Sequence, residues 1–208
     1  MISLNLVLSV LVTVFLLAIN EVLKRKFSLP AYFTRKVAHI GGSIVAFFAS
    51  GFLNQAEIVF IGIFLGIFFL LVRRTKILSS IYGVSRLTAG DILLPVGIVF
   101  SAIIFLPKNL SAFQYGILVL GVSDGLAGLI GETFSKKHIK VWGSQKTLLG
   151  FFVFFLSTLI LTAIFLPGFG YEVLLISFLL TLVELGLGYG SDNLVLPALA
   201  SYLITFFI

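Results

Sequence analysis

Residues 2–26 read ISLNLVLSVLVTVFLLAINEVLKRK: nineteen residues without a charge, then Glu21 and the basic cluster Lys24-Arg25-Lys26. A helix rises about 1.5 Å per residue and the hydrocarbon core of a bilayer is about 30 Å thick, so roughly 20 apolar residues cross it. A secretory signal places its positive charge ahead of the apolar run; here the charge follows it. The stretch is therefore expected to be a retained first transmembrane helix with the N-terminus outside.

Seven more apolar runs follow, at residues 37–53, 56–72, 92–106, 110–131, 148–166, 171–188 and 194–208. Of the 208 residues 60% are hydrophobic and 11% charged, against about 45–50% and about 25% in soluble domains. That composition excludes a soluble enzyme, a disordered chain and a nucleic-acid module. Cysteine is absent, which removes disulfides and thiol chemistry. The expectation is an all-α integral membrane protein. It would be a polytopic helical bundle of about eight transmembrane segments, seven if the last run only partly inserts, and a single catalytic domain over residues 1–208.

Lys24, Arg25, Lys26, Arg35 and Lys36 lie between the first two runs; Arg73, Arg74, Lys76 and Arg86 between the third and fourth; Lys136, Lys137, Lys140 and Lys146 between the fifth and sixth. Only Lys108 falls in a loop of the other parity, so thirteen of the fourteen cations, in a chain of net charge +6, share one side. The positive-inside rule assigns that side to the cytoplasm and, with an even number of spans, places the C-terminus outside as well. A plasma-membrane location fits this orientation best. Six carboxylates, Glu21, Asp91, Asp124, Glu132, Glu184 and Asp192, fall at or near the same side; Glu57 and Glu172 do not. Snorkelling accounts for Lys24–Lys26 and Arg73–Lys76, but not for carboxylates inside apolar runs.

Asp124 lies in such a run, where an ionised carboxylate costs about 2.5–3.5 kcal/mol to insert. Gly121, Gly125, Gly128 and Gly131 share one helical stripe beside it, which admits another backbone or a bulky anion. Arg35, Lys36 and His39 open the second span, with Arg35 and His39 on one face. Cations there oppose the helix dipole, which suggests an anion held with the first-turn amides. In residues 132–147, ETFSKKHIKVWGSQKT, the segment Gly143-Ser144-Gln145-Lys146-Thr147 leads into an apolar helix and offers a phosphate cradle, though it is not a P-loop. Glu184, Gly188 and Asp192 share a face if the helix persists through Gly190; alternatively Gly186, Gly188 and Gly190 break it near Tyr189. Asp91 is either an N-cap or a ligand. Clustered hard oxygens suit Mg²⁺, and Arg and Lys neutralise a transferring phosphoryl group. Together these residues suggest membrane-embedded transfer of a phosphate group.

The motifs have a family resemblance. Arg35-Lys36-Val37-Ala38-His39 resembles the RK-x-x-H signature of the polyprenol kinase family, which includes dolichol, phytol and farnesol kinases and the CTP-dependent diacylglycerol kinase of yeast. Residues 122–131, VSDGLAGLIG, are similar to its G-D-[GT]-x-A-x-x-x-G stretch, with Ser123 in place of the usual glycine. Lys146-Thr147-Leu148-Leu149-Gly150 is similar to K-[ST]-x-x-G, and Glu184 with Asp192-Asn193 and Pro197 resembles the E…D-N-x-x-x-P ending. The resemblance implies transfer of the γ-phosphoryl of a nucleoside triphosphate, typically CTP, to a prenol or diacylglycerol hydroxyl. It implies catalytic Asp124, Lys146, Arg35, Lys36 and His39, and a Mg²⁺ on Asp124 with Asp192 or Glu184. The nucleotide would lie on Arg35, Lys36, Gly125, Gly128, Gly131, Ser144, Lys146 and Thr147. His39 or a carboxylate would accept the hydroxyl proton. Partners are then a nucleotide and membrane lipids, with no nucleic acid. A CDP-diacylglycerol synthase-like cytidylyltransferase is the nearest alternative, but its C-terminal basic and histidine elements are missing here. An ion-coupled transporter is the alternative of another class.

Overall fold

A computed structural model describes residues 3–75, 77–83, 88–141, 144–166 and 170–208. Each of the eight apolar runs lies in a helix. These are α1 (Leu4–Phe27), α2 (Ala31–Ala49), α3 (Gln55–Thr75), α5 (Gly90–Phe105), α8 (Leu148–Phe165), α9 (Tyr171–Gly186), α10 (Asp192–Ile204) and one continuous rod, Leu110–Phe134. The rod consists of α6 (Leu110–Leu118), a π-helical segment (Val119–Asp124) and α7 (Gly125–Phe134). A short α4 (Ser79–Tyr82) follows α3, and an antiparallel hairpin of β1 (Ile139–Val141) and β2 (Ser144–Lys146) links α7 to α8.

The chain is an all-α integral membrane protein. Helices Leu4–Phe27, Gln55–Thr75, Leu110–Phe134 and Leu148–Phe165 are long and apolar enough to cross a membrane. The shorter α5, α9 and α10 reach only about 20–24 Å at 1.5 Å per residue. Large apolar side chains cover the outside of the bundle as well as filling its core. On α8 the stripe Leu148, Phe152, Leu156, Ile160 and Ile164 is exposed, while Gly150, Thr158 and Thr162 face inward. Lipid accepts the large apolar side chains, and small or hydroxylated residues let helices approach and hydrogen-bond. Tyr115 Oη lies 2.7 Å from Thr162 Oγ1, and Ser101 Oγ 3.1 Å from Ser201 Oγ.

The last helix is central. Leu196, Ala200 and Ile204 of α10 are fully buried with Tyr115, Phe154 and Val173. Pro197 has no N–H to give the Asn193 carbonyl, and Gly97 of α5 packs against that carbonyl so closely that a Cβ would collide with it. The final run therefore forms a helix ending at Ile204, with the Leu196, Ala200 and Ile204 face buried in the bundle and Tyr202 exposed.

Charged segments gather at one end. Arg25 Nη2 donates to the Ile77 carbonyl at 3.0 Å, Arg73 Nη2 to that of Thr88 at 2.8 Å, and Asn193 Nδ2 to that of Gly90 at 2.7 Å. At the other end Ser3 bonds Glu57, and Asn109 caps α6 through the Ala112 amide at 2.9 Å. Lys76 and Arg86 lie outside the described residues.

Candidate active site

Asp124 is the last residue of the π-helical segment, and its side chain is 5% exposed. A π turn takes up one residue more than an α turn, so part of its backbone falls out of the usual ladder. The carbonyl of Leu120 in this segment faces His39 Nε2 at 2.8 Å, and the same nitrogen lies 3.3 Å from Asp124 Oδ2. Carbonyl and carboxylate oxygens only accept, so Nε2 carries a hydrogen. Lys36, one turn before His39, places Nζ 2.8 Å from Asp124 Oδ2 and 3.2 Å from its carbonyl.

A second cation approaches from the hairpin. Lys146, at the end of β2, pairs with Glu184 near the end of α9, and its Nζ is 3.9 Å from Asp192 Oδ2 at the start of α10. Burial pulls the Lys146 ammonium down; the Glu184, Asp192 and Asp124 carboxylates outweigh it and hold its pKa above the ordinary lysine value. Lys146 therefore stays charged at neutral pH. Asp124, Glu184 and Asp192 each offer an oxygen, and these atoms lie within 4.8 Å of one another. Three carboxyl groups and two ammonium groups thus meet in a mostly buried cluster. Clustered hard oxygen donors are the chemistry a Mg²⁺-sized cation requires.

Set beside curated proteins, the chain is 31% identical over 192 residues to a phytol kinase of Synechocystis sp., a match covering 85% of this chain and 80% of that one. The chain belongs to the polyprenol and phytol kinase family. This family member is also 35% identical over 115 residues to an uncharacterised protein of Methanocaldococcus jannaschii, covering 55% of the chain and 57% of that protein. No protein-family model and no solved structure matches it.

Several residues of this family member stand elsewhere than their motifs suggest. The glycine stripe is already covered by protein: a Cβ at Gly121 would strike Ser43, at Gly125 Ile40, at Gly128 the Lys36 side chain, and at Gly131 Thr147. Gly125, Gly128 and Gly131 let α2 and the start of α8 lie directly on the rod, which brings Lys36 to Asp124. Thr147, expected to hold phosphate, is buried and caps α8, its Oγ1 accepting from the Gly150 amide at 2.9 Å. The Ser144 side chain lies outside the described residues. Helix α2 starts at Ala31, so Arg35 and Lys36 stand in its second turn and the first-turn amides precede them. Arg35 Nη2 lies 3.2 Å from Thr88 Oγ1, and the side chain lines a separate cleft together with His39. Helix α9 ends at Gly186; Tyr189 and Gly190 adopt positive φ of 55° and 92°, and Asp192 starts a new helix. A helix break, not a continuous face, brings Asp192 to Glu184. Asp91 is in the first turn of α5, with Ala89 at the N-cap position, so it is not the cap. Glu21 accepts from Arg25 Nε, Ser79 Oγ and the Ser80 amide at 2.7–2.8 Å and ties α1 to α4. The π-helical segment left no periodicity signal in the sequence.

Proposed function

We propose that this protein is a lipid-alcohol kinase that transfers the γ-phosphoryl group of a nucleoside triphosphate, CTP by preference, to a prenol or diacylglycerol hydroxyl. The observation that carries this reading is the meeting of Asp124, Glu184 and Asp192 with Lys36 and Lys146 at the charged end of the bundle. The phytol kinase relative supports the substrate class. Eight crossings with the N-terminus outside put this end at the cytoplasmic face of the plasma membrane, where soluble nucleotide and bilayer alcohol can both reach it.

In the reaction the alcohol oxygen forms a bond to the γ-phosphorus, the bond from that phosphorus to the bridging oxygen breaks, and the nucleoside diphosphate leaves. The hydroxyl proton goes to His39 Nδ1 or to a carboxylate at the same end. Asp124, with Asp192 or Glu184, would hold a Mg²⁺, which would supply neutralisation of the phosphate charge. Lys36 and Lys146 turn from the carboxylates to the phosphate oxygens as the nucleotide arrives, and Arg35 adds a third cation. His39 keeps Asp124 oriented through its Nε2 hydrogen.

The test uses purified protein in micelles with radiolabelled CTP and geranylgeraniol or diacylglycerol. Asp124→Asn is expected to lower turnover by about 10²-fold or more, and EDTA to abolish it until Mg²⁺ is restored. Undiminished turnover in Asp124→Asn rejects the assignment. Lipid phosphate with CDP is the expected product; CDP-lipid with pyrophosphate marks a cytidylyltransferase instead.

A further inference from the structure

A cleft runs between α1, α2, α3 and α5, beside the carboxylate cluster but distinct from it. Its two ends differ sharply. At the charged end Arg35, His39, Gly90, Asp91 and Asn193 line it; along its length and at the far end it is bounded by residues such as Leu17, Leu65, Leu94, Ala49 and Ile58. From Arg35 to Ala49 along α2 the cleft extends about 21 Å at 1.5 Å per residue, more than the roughly 15 Å half-thickness of the hydrocarbon core.

At the head of the cleft one buried carboxylate is incompletely paired among the described residues. The Asp91 side chain is 4% exposed; its Oδ1 faces Arg73 Nη1 at 3.8 Å, while Oδ2 is buried without a hydrogen-bond donor. The hydroxyl of Tyr82, which stands beside Asp91, donates to the Phe69 carbonyl at 3.0 Å. A buried carboxylate oxygen left bare is costly and is satisfied by a ligand donor. A lipid alcohol has one O–H donor joined to a long apolar chain, which matches this cleft end for end.

We infer that the cleft between α1, α2, α3 and α5 is the seat of a single-chain lipid alcohol, with its hydroxyl at the Asp91 carboxyl group and its chain lying along α2 toward Ala49. This rests on the kinase reading and names Asp91 as the carboxylate that receives the substrate hydroxyl. His39 joins the two sites: its ring lines the cleft and its Nε2 meets Asp124. Asn193, next to Asp192, holds the Gly90 carbonyl and so fixes the head of the cleft against the carboxylate cluster. Gly42, midway along α2, lines the cleft, and a Cβ there would meet nothing within 4 Å. A side chain at Gly42 therefore grows into the space assigned to the lipid chain.

The experiment compares the unmodified protein with Gly42→Leu and Asp91→Asn in micelles, phosphorylating octanol and phytol with CTP, alongside labelling by a long-chain alcohol carrying a terminal diazirine. Gly42→Leu is expected to lower kcat/KM for phytol about tenfold relative to octanol, and Asp91→Asn to raise KM for both alcohols about tenfold, with the KM for CTP unmoved in each. The diazirine is expected to label the far end of the cleft around Ala49 and Leu53, and Gly42→Leu to prevent it. An equal loss of phytol and octanol in Gly42→Leu, a change in the KM for CTP alone in Asp91→Asn, or labelling confined to outward faces of the bundle overturns the assignment. Labelling requires no turnover, so it tests the cleft even if no alcohol is phosphorylated, the result that would sink the kinase reading instead.

Discussion

At Asp124 a carboxylate is buried deep in an apolar rod, with Lys36 Nζ at 2.8 Å and the His39 ring at 3.3 Å as its counter-groups. Removing one partner of a buried pair leaves the other charge uncompensated, at a cost of about 3–5 kcal/mol, whereas replacing both is often neutral. Lys36→Met is therefore expected to lower the melting temperature in micelles and abolish activity. Lys36→Met with Asp124→Asn should regain most of the stability and none of the activity. If the double variant melts no higher than Lys36→Met, the two groups are not an energetic pair. Motif and burial cost already marked Asp124 in the sequence as a residue needing a counter-charge. Lys146 with Glu184 was less legible, because its partner lies 38 positions away and is reached only when the hairpin folds back onto α9.

Among the elements, the rod and α2 work as one unit. Their separation is set by glycine: a side chain at Gly128 displaces Lys36, while one at Gly186, near the end of α9, meets nothing within 4 Å. Gly128→Ala is expected to cut turnover about tenfold or more by shifting Lys36 from its position, with Gly186→Ala indistinguishable from the unmodified protein. Equal activity in the two variants would remove the glycine stripe from the positioning of the site. The stripe was visible as periodicity, but a helical wheel does not say what covers it. Ile40, Lys36 and Thr147 do, and they come from two other elements. The same holds for the break after Gly186. Three glycines signalled it, but the choice between a continuous face and a turn depended on Tyr189 bonding the Ala89 amide at 3.0 Å.

Over the whole molecule, charge is polarised from one end of the bundle to the other, which makes orientation testable. The chain has no cysteine, so Lys137→Cys and Lys108→Cys each carry a lone thiol at exposed positions near opposite ends. With a membrane-impermeant maleimide on intact cells, Lys108→Cys is expected to label and Lys137→Cys to label only after the membrane is opened. The reverse pattern would place the charged end outside and separate it from cytosolic nucleotide.

Apolar run lengths and the parity of the basic residues determined a membrane-embedded helical chain with one charged end, because the bilayer penalises every unpaired backbone or charged group at depth. Four ordered motifs carried the family. Tertiary structure alone decided that one face of the last helix is buried in the core, that the glycines seat α2 and α8 rather than lie open, and that Asp91 lines a cleft. Those facts depend on which helices pack together, and periodicity along one helix cannot specify the neighbour it will meet.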